Sequence, residues 1–212
     1  MTQIEDMHKA VISGIKRLQK LYYKSPKIFL TEADVQCRLY SELIMQPEFK
    51  PTKVNRVDNK SNEKTKKGQD LRVTTPLHAE LYRKGKKKSY VDLVIVPPKL
   101  FKFNKYDSPD YKEEKESIGI ELKFNKWHER LCKKSNENKE TKKWKNFEKA
   151  LEKDLQRLGG YKSGILLFVD PKSNFKNQTA WGKFVKDSIP KSKKRTINAY
   201  YLSPKQRKIF EV

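Results

Sequence analysis

The stretch Ile118-Gly119-Ile120-Glu121-Leu122-Lys123-Phe124 decides the fold that we expect for this chain. Its large apolar residues alternate with a glycine and two charged residues, which is the period of a strand with one face in a core. Glu121 and Lys123 then project together from the other face, about 7 Å apart along the strand. Two charges on so apolar a strand are costly to desolvate unless they meet partners or a metal ion.

A second apolar stretch, Tyr90–Val96, has the same anomaly, because Asp92 is its only charged residue. If the two stretches are neighbouring strands, Asp92 and Glu121 converge on one cation, with the carbonyl oxygen of Leu122 as a further hard ligand. The alternative is a buried ion pair, in which Lys123 only neutralises one of the acids.

Two amphipathic helices are predicted before these strands. The first has apolar residues at spacings of three and four, namely Ile4, Met7, Val11, Ile15, Leu18 and Tyr22. The second begins after Thr31, a candidate N-cap with Asp34 three places on, and ends before Pro47. Residues 50–68 are highly charged without apolar periodicity, which predicts a loop or a long irregular hairpin connection.

The remaining patterns predict a mixed sheet with helices packed on it. The predicted elements are strands at Leu71–Thr75, Leu77–Tyr82 and Tyr90–Val96 with a basic turn around Gly85, a helix from Trp144 to Leu158 ended by Gly159 and Gly160, a central strand at Gly164–Val169, a short helix around Trp181 and a strand at Ile197–Leu202. A chain of 212 residues suits one domain. We expect a core of about 30–169, with a helix at 3–23 before it and a helix and strand at 178–203 after it.

Asp92, followed on the next strand by Glu121-Leu122-Lys123, resembles the Asp…Glu-x-Lys signature of the PD-(D/E)XK nuclease superfamily. The resemblance implies an α/β fold with a three-layer, restriction-endonuclease-like core, in which a mixed sheet is flanked by helices. It also implies an acid on the helix before the sheet, where Glu32 stands. For Glu32 the alternative is an acid favoured only by the helix dipole.

The chemistry of phosphodiester hydrolysis assigns a role to each of these residues. Asp92 and Glu121 would hold Mg²⁺ or Mn²⁺, which polarises the phosphate and acidifies a bound water. Lys123 would orient that water or stabilise the growing charge, and Glu32 would complete the shell. By the resemblance, the products carry 5′-phosphate and 3′-hydroxyl ends.

The resemblance also marks lesser candidates and departures. Glu80 lies in the segment leading to the Asp strand, and Gln156 lies on the helix after Glu-x-Lys, where some exonuclease-like branches carry a Gln. The spacing from Gln156 to Tyr161 does not match that pattern well, so a surface glutamine is the alternative. Val91 replaces the Pro that names the family.

The composition points to a polyanionic partner. The chain has 49 Lys and Arg against 26 Asp and Glu, a net charge of +23 and a pI of about 9.8, which favours nucleic acid. Basic and aromatic residues directly after the Glu-x-Lys strand, Lys126, Trp127 and Arg130, could follow a backbone and stack on a base.

No apolar run is long enough to span a membrane, so we expect a cytoplasmic protein without a membrane partner. Cys37 and Cys132 form neither a disulfide framework nor a zinc motif. A homodimer is compatible with the sequence.

The expected function is a Mg²⁺-dependent deoxyribonuclease acting on double-stranded DNA, an endonuclease rather than an exonuclease. Its pathway would be defence by restriction, repair or mobile-element processing. Two alternatives stay open: a catalytically inactive nuclease fold that binds nucleic acid, and a nuclease that cleaves RNA.

Overall fold

The computed structural model describes residues 3–55, 71–79, 91–98, 102–103, 109–110, 116–125, 149–171, 173, 175–188 and 197–212. Several predicted features lie outside these residues: Glu80, the turn around Gly85, the candidate nucleic-acid contacts Lys126, Trp127 and Arg130, Cys132, and the beginning of the helix after Glu-x-Lys.

Four helices are described, and both predicted N-terminal helices are confirmed. They are α1 (Gln3–Lys24), α2 (Glu32–Ile44), α3 (149–158) and α4 (Gln178–Ser188), with a 3-10 turn at Pro47–Phe49. The predicted stripe of α1 is buried from Met7 to Tyr22, because these side chains share the face that packs on the sheet.

A capping box fixes the start of α2, as the sequence predicts. The Thr31 hydroxyl accepts a hydrogen bond from the Asp34 amide, and the Asp34 carboxylate accepts from the Thr31 amide in return. Glu32 is therefore held in the first turn of α2, where its position along the helix is set by the cap.

Ten strands are described: β1 (Thr52–Asn55), β2 (Leu71–Thr74), β3 (Leu77–Ala79), β4 (Leu93–Ile95), β5 (Lys102–Phe103), β6 (Pro109–Asp110), β7 (Ile118–Phe124), β8 (Ser163–Val169), β9 (Ile197–Leu202) and β10 (Phe210–Glu211). Six form one mixed sheet in the order β10-β9-β8-β7-β4-β3. β7, β8 and β9 run parallel, whereas β4 pairs antiparallel with β7 and with β3. The predicted adjacency of the Asp segment and the Glu-x-Lys strand is confirmed.

The sheet is the middle of three layers. Ile118, Ile120 and Leu122 face α1 and α2, in one of two hydrophobic clusters. The other face of the sheet packs on α3 and α4 through residues such as Phe168, Leu155 and Trp181. The chain is thus an α/β protein with helices on both faces of a mixed sheet, and Glu121 and Lys123 belong to the α3 face by the alternation of β7.

Several elements differ from the sequence prediction. Within the segment expected to be a loop or an irregular hairpin connection, Thr52–Asn55 forms β1 and pairs with β2 in a separate two-stranded sheet. The strand predicted at Tyr90–Val96 is shorter, since β4 begins only at Leu93. The short C-terminal strand β10, which pairs with β9, was not predicted.

Candidate active site

The site lies at the second half of β7, beyond its pairing with β4 in the part of the chain that the structure describes. Among the described residues, the register between β4 and β7 stops at the pair Leu93 and Ile120. The amide of Asn125 donates to Val169 on the β8 side, so alternation turns the amides of Leu122 and Phe124 toward the β4 side. There the second half of β7 presents backbone groups beyond the end of the ladder.

Asp92 satisfies the first of these amides. Its Oδ2 accepts a hydrogen bond from the Leu122 amide at 2.6 Å, and its main-chain oxygen accepts from Gln36 Nε2 of α2 at 2.8 Å. The prediction that Asp92 lies inside a strand is therefore wrong. Its carboxylate takes the place that a further β4 residue would occupy beside Leu122, and Gln36 holds its backbone away from the ladder.

Glu32 satisfies the second amide. Its Oε2 accepts from the Phe124 amide at 3.1 Å, so the N-terminus of α2 is joined to the end of β7. The contact brings the Glu32 carboxylate to the same edge as Asp92, where its charge acts on Lys123. Glu32 therefore makes a specific contact with the Glu-x-Lys strand, in addition to any favourable interaction with the dipole of α2.

Glu121 is the most deeply buried acid of the site, with 1% of its surface exposed. Burial, and then the nearby charges of Asp92 and Asp154, raise the pKa of Glu121 to about 9, although Arg157 and Lys123 oppose the shift. An acid in this position favours either a proton or a nearby cation.

Arg157 of α3 supplies that cation in the structure. Its Nε donates to Glu121 Oε1 at 2.9 Å, and its Nη2 lies 2.8 Å from the same oxygen. Nη2 also bonds Asp154 Oδ1. Arg157 therefore links the central acid of β7 to an acid on the helix that covers it.

Lys123 is held by the other oxygen of the same helix acid. Its Nζ lies 3.0 Å from Asp154 Oδ2. Burial lowers the pKa of Lys123, but the charges of Asp154, Glu32 and Glu121 outweigh it, and the pKa is raised above its ordinary value. Lys123 is thus held as a cation by Asp154, within reach of the charges of Glu32 and Glu121.

Sequence reasoning missed Asp154, Arg157 and Gln36. A signal for Asp154 was present, since it occupies the apolar stripe of α3 at helical spacing from Leu151 and Leu158, and it is 5% exposed. Arg157 follows one turn later, as an ion-pair partner would. No comparable pattern marks Gln36, whose partner is a backbone oxygen far away in sequence.

Two further predicted residues have clear positions. Gln156 is exposed, on the side of α3 turned away from Asp154, so the alternative of a surface glutamine is confirmed. The Leu122 side chain is buried against α1 and α2. Its carbonyl shares the direction of its amide, toward Asp92 and the open edge.

The donor set suits a hard divalent cation. Asp92 and Glu121 offer adjacent carboxylates, and Mg²⁺ is commonly bound through one or two carboxylates with water and substrate phosphate completing its shell. Within the described ranges, no group of three or more His, Cys, Asp or Glu side chains is arranged to hold a metal. The protein part of such a centre would therefore be this pair, with the Leu122 carbonyl beside it.

Comparison with protein families, curated proteins and solved structures found no significant match to the chain. None of the described helices is both long and apolar enough to cross a bilayer. Cys37 is exposed with a free thiol.

Proposed function

We propose that the chain is a metal-dependent nuclease of the PD-(D/E)XK type, which hydrolyses phosphodiester bonds in DNA. One observation carries the proposal: Asp92, whose carboxylate binds the Leu122 amide, acts with its charge on the buried Glu121, and the cationic Lys123 lies two residues further on the same face of β7. An acid pair next to a fixed cation is the arrangement that metal-assisted hydrolysis requires.

Asp92 and Glu121 would hold Mg²⁺ or Mn²⁺, which supplies polarisation of the phosphate and acidification of water. Lys123 stabilises negative charge on the phosphoryl oxygens, because its ammonium is already desolvated and held by Asp154 at 3.0 Å. Glu32 anchors the end of β7 and keeps a negative charge near Lys123.

DNA is the proposed substrate because the net charge of +23 favours a phosphate backbone. The fold observed, a mixed sheet between helices, is compatible with the three-layer core of this superfamily. The resemblance further favours internal cleavage of double-stranded DNA, with 5′-phosphate products.

The test is cleavage of plasmid DNA with Mg²⁺ or Mn²⁺, against EDTA, by the wild type and by Asp92→Asn and Glu121→Gln. Each change keeps the shape of the side chain and removes a metal ligand charge, so we expect a loss of at least about 100-fold in rate. Asp187→Asn and Glu152→Gln are matched controls on the exposed surfaces of α4 and α3 and should keep activity.

Near wild-type cleavage by either site variant would contradict the proposal. Single-stranded DNA, branched junctions and RNA belong in the same assay. Cleavage of RNA alone would replace the substrate, whereas tight binding without metal-dependent cleavage would make the chain a nucleic-acid-binding protein on a nuclease-like fold.

A further inference from the structure

The Glu121 carboxylate is already engaged by an internal cation. Two nitrogens of Arg157, Nε and Nη2, converge on the single oxygen Oε1 at 2.9 and 2.8 Å. The Nε contact is a charge-assisted hydrogen bond and the Nη2 contact is an ion pair, in a site where Glu121 is almost fully buried.

The guanidinium and a divalent cation would use the same electron pairs. A metal held by Asp92 and Glu121 would need oxygen lone pairs on Glu121, and Oε1 is already contacted by two nitrogens of Arg157. A guanidinium carries one positive charge delocalised over a plane, whereas the acid pair attracts a compact divalent ion more strongly. The two cations therefore exclude each other in part.

Arg157 has a second ion-pair partner, and its side chain is partly exposed to solvent. Its Nη2 also bonds Asp154, the acid that positions Lys123. The Arg157 side chain keeps 32% of its surface exposed, against 2% for Glu121. Arg157 can leave Glu121 toward solvent without losing its ion pair with Asp154.

We propose that Arg157 is a built-in competitor of the catalytic metal: it occupies Oε1 of Glu121 in the metal-free protein, and a divalent cation must displace it to bind. The inference rests on the proposed function. Arg157 thereby sets the metal concentration at which the site becomes occupied. When no metal is present, it also provides a partner for the acid pair, which would otherwise be buried without one.

Calorimetric titration with Mn²⁺, without DNA, tests the competition apart from activity. In Arg157→Gln the competitor is lost. We expect Mn²⁺ to bind about tenfold more tightly, because the free energy of a charge-assisted hydrogen bond corresponds to about a tenfold change in affinity. Lys153→Gln removes an equal charge from an exposed position of the same helix and serves as the matched control. Its Mn²⁺ affinity should change by less than about twofold.

A double change isolates the shared oxygen. In a Glu121→Gln background, which lacks the carboxylate, Arg157→Gln should no longer raise the affinity for Mn²⁺. In the wild-type protein, the Nε–H resonance of Arg157 should shift on titration with diamagnetic Mg²⁺, as its bond to Glu121 breaks. This second measurement needs no substitution and holds even if the variant fails to fold.

The outcomes separate the two proposals. Equal Mn²⁺ affinity in Arg157→Gln and wild type, with an unmoved Arg157 resonance, would overturn the competition while leaving the nuclease proposal intact, provided that Asp92→Asn still weakens binding. Absence of Mn²⁺ binding in the wild type and in Arg157→Gln alike would overturn both. Binding that appears only in Arg157→Gln would support the competition in its strongest form.

Discussion

At the scale of single residues, the central feature is Glu121, an acid that is almost fully buried and lies near other negative charges. Glu121 is buried next to Asp92 and Asp154, and its pKa is raised to about 9 in the metal-free protein. The ordinary value is 4.5. The folded state therefore holds one more proton than the unfolded chain between these two values.

This proton makes a prediction for stability in EDTA. Because the pKa of Glu121 is raised on folding, the free energy of unfolding should fall as the pH rises from about 4.5 toward about 9. Glu121→Gln lacks this titration, so at about pH 8 we expect it to be more stable than the wild type, by on the order of 1–3 kcal/mol. Chemical denaturation of both proteins across the pH range measures the difference.

The advantage of Glu121→Gln should shrink as the pH falls toward about 4.5, because the unfolded wild-type chain then also binds this proton. Glu152→Gln, exposed on α3, is the control for removal of a negative charge. If the metal-free wild type were more stable than Glu121→Gln at high pH, the folded protein would not penalise the ionised form of Glu121, which would contradict the prediction.

Asp154 is a positioning residue, since it holds Lys123 and Arg157 with its two oxygens. Asp154→Asn should lower kcat by about 10- to 100-fold with little change in KM. The pKa of Lys123 loses its largest raising influence, so the alkaline limb of the rate profile should move to lower pH. A fall in activity with an unmoved profile would mean that Asp154 is only part of the packing of α3.

The acids of the strands were accessible to sequence reasoning, but their partners were not. Asp92, Glu121 and Lys123 interrupt apolar strands, and that anomaly is visible in one dimension. Arg157 interrupts no apolar pattern, and only its spacing of three residues from Asp154 points to a role as an ion-pair partner. Gln36 contacts a backbone oxygen 56 positions away, which is set by packing alone.

At the scale of elements, β7 depends on a close approach by the turn after α3. A Cβ on Gly119 would lie 2.6 Å from Tyr161 Cδ2, and every near atom belongs to the Tyr161 ring. Tyr161 is buried against the α3 face of the sheet. This contact sets how closely α3, with Asp154 and Arg157, approaches β7.

Gly119→Ala should therefore lower the free energy of unfolding by about 1–3 kcal/mol and reduce cleavage by displacing α3. Gly182→Ala is a matched control within α4, where a Cβ would lie 3.4 Å from Val212. In a helix interior this change should be neutral or stabilising by about 0.5–1 kcal/mol. Denaturant titration decides the comparison, and unchanged stability in Gly119→Ala would contradict the close packing.

The long elements could be predicted because their own residues determine them. α1 and β7 each carry a period over seven or more residues, and β8 is a continuous apolar run after its first two residues. β1 and β10 are short and exist through pairing with β2 and β9, respectively. β1 has four residues and β10 has two, which is too short for a sequence pattern to indicate a pairing partner, so these strands were missed.

At the scale of the molecule, a cluster of acids lies within a chain of net charge +23. If the surplus charge engages a DNA backbone, affinity should fall steeply with salt, by roughly a thousandfold between about 50 and 200 mM. Fluorescence anisotropy with the inactive Glu121→Gln variant and labelled duplexes measures this slope. A flat response would show that the positive charge has no polyanionic ligand.

The two carboxylates on the open half of β7 also have a consequence for solubility. Asp92 and Glu32 occupy amides that would otherwise form a bare strand edge, the kind of template that recruits a strand from another molecule. By binding these amides, the two carboxylates hinder pairing of this strand with a strand of another molecule. Replacing both with alanine would therefore endanger the monodispersity of the protein as well as its chemistry, and self-association of that double variant would trace back to this edge.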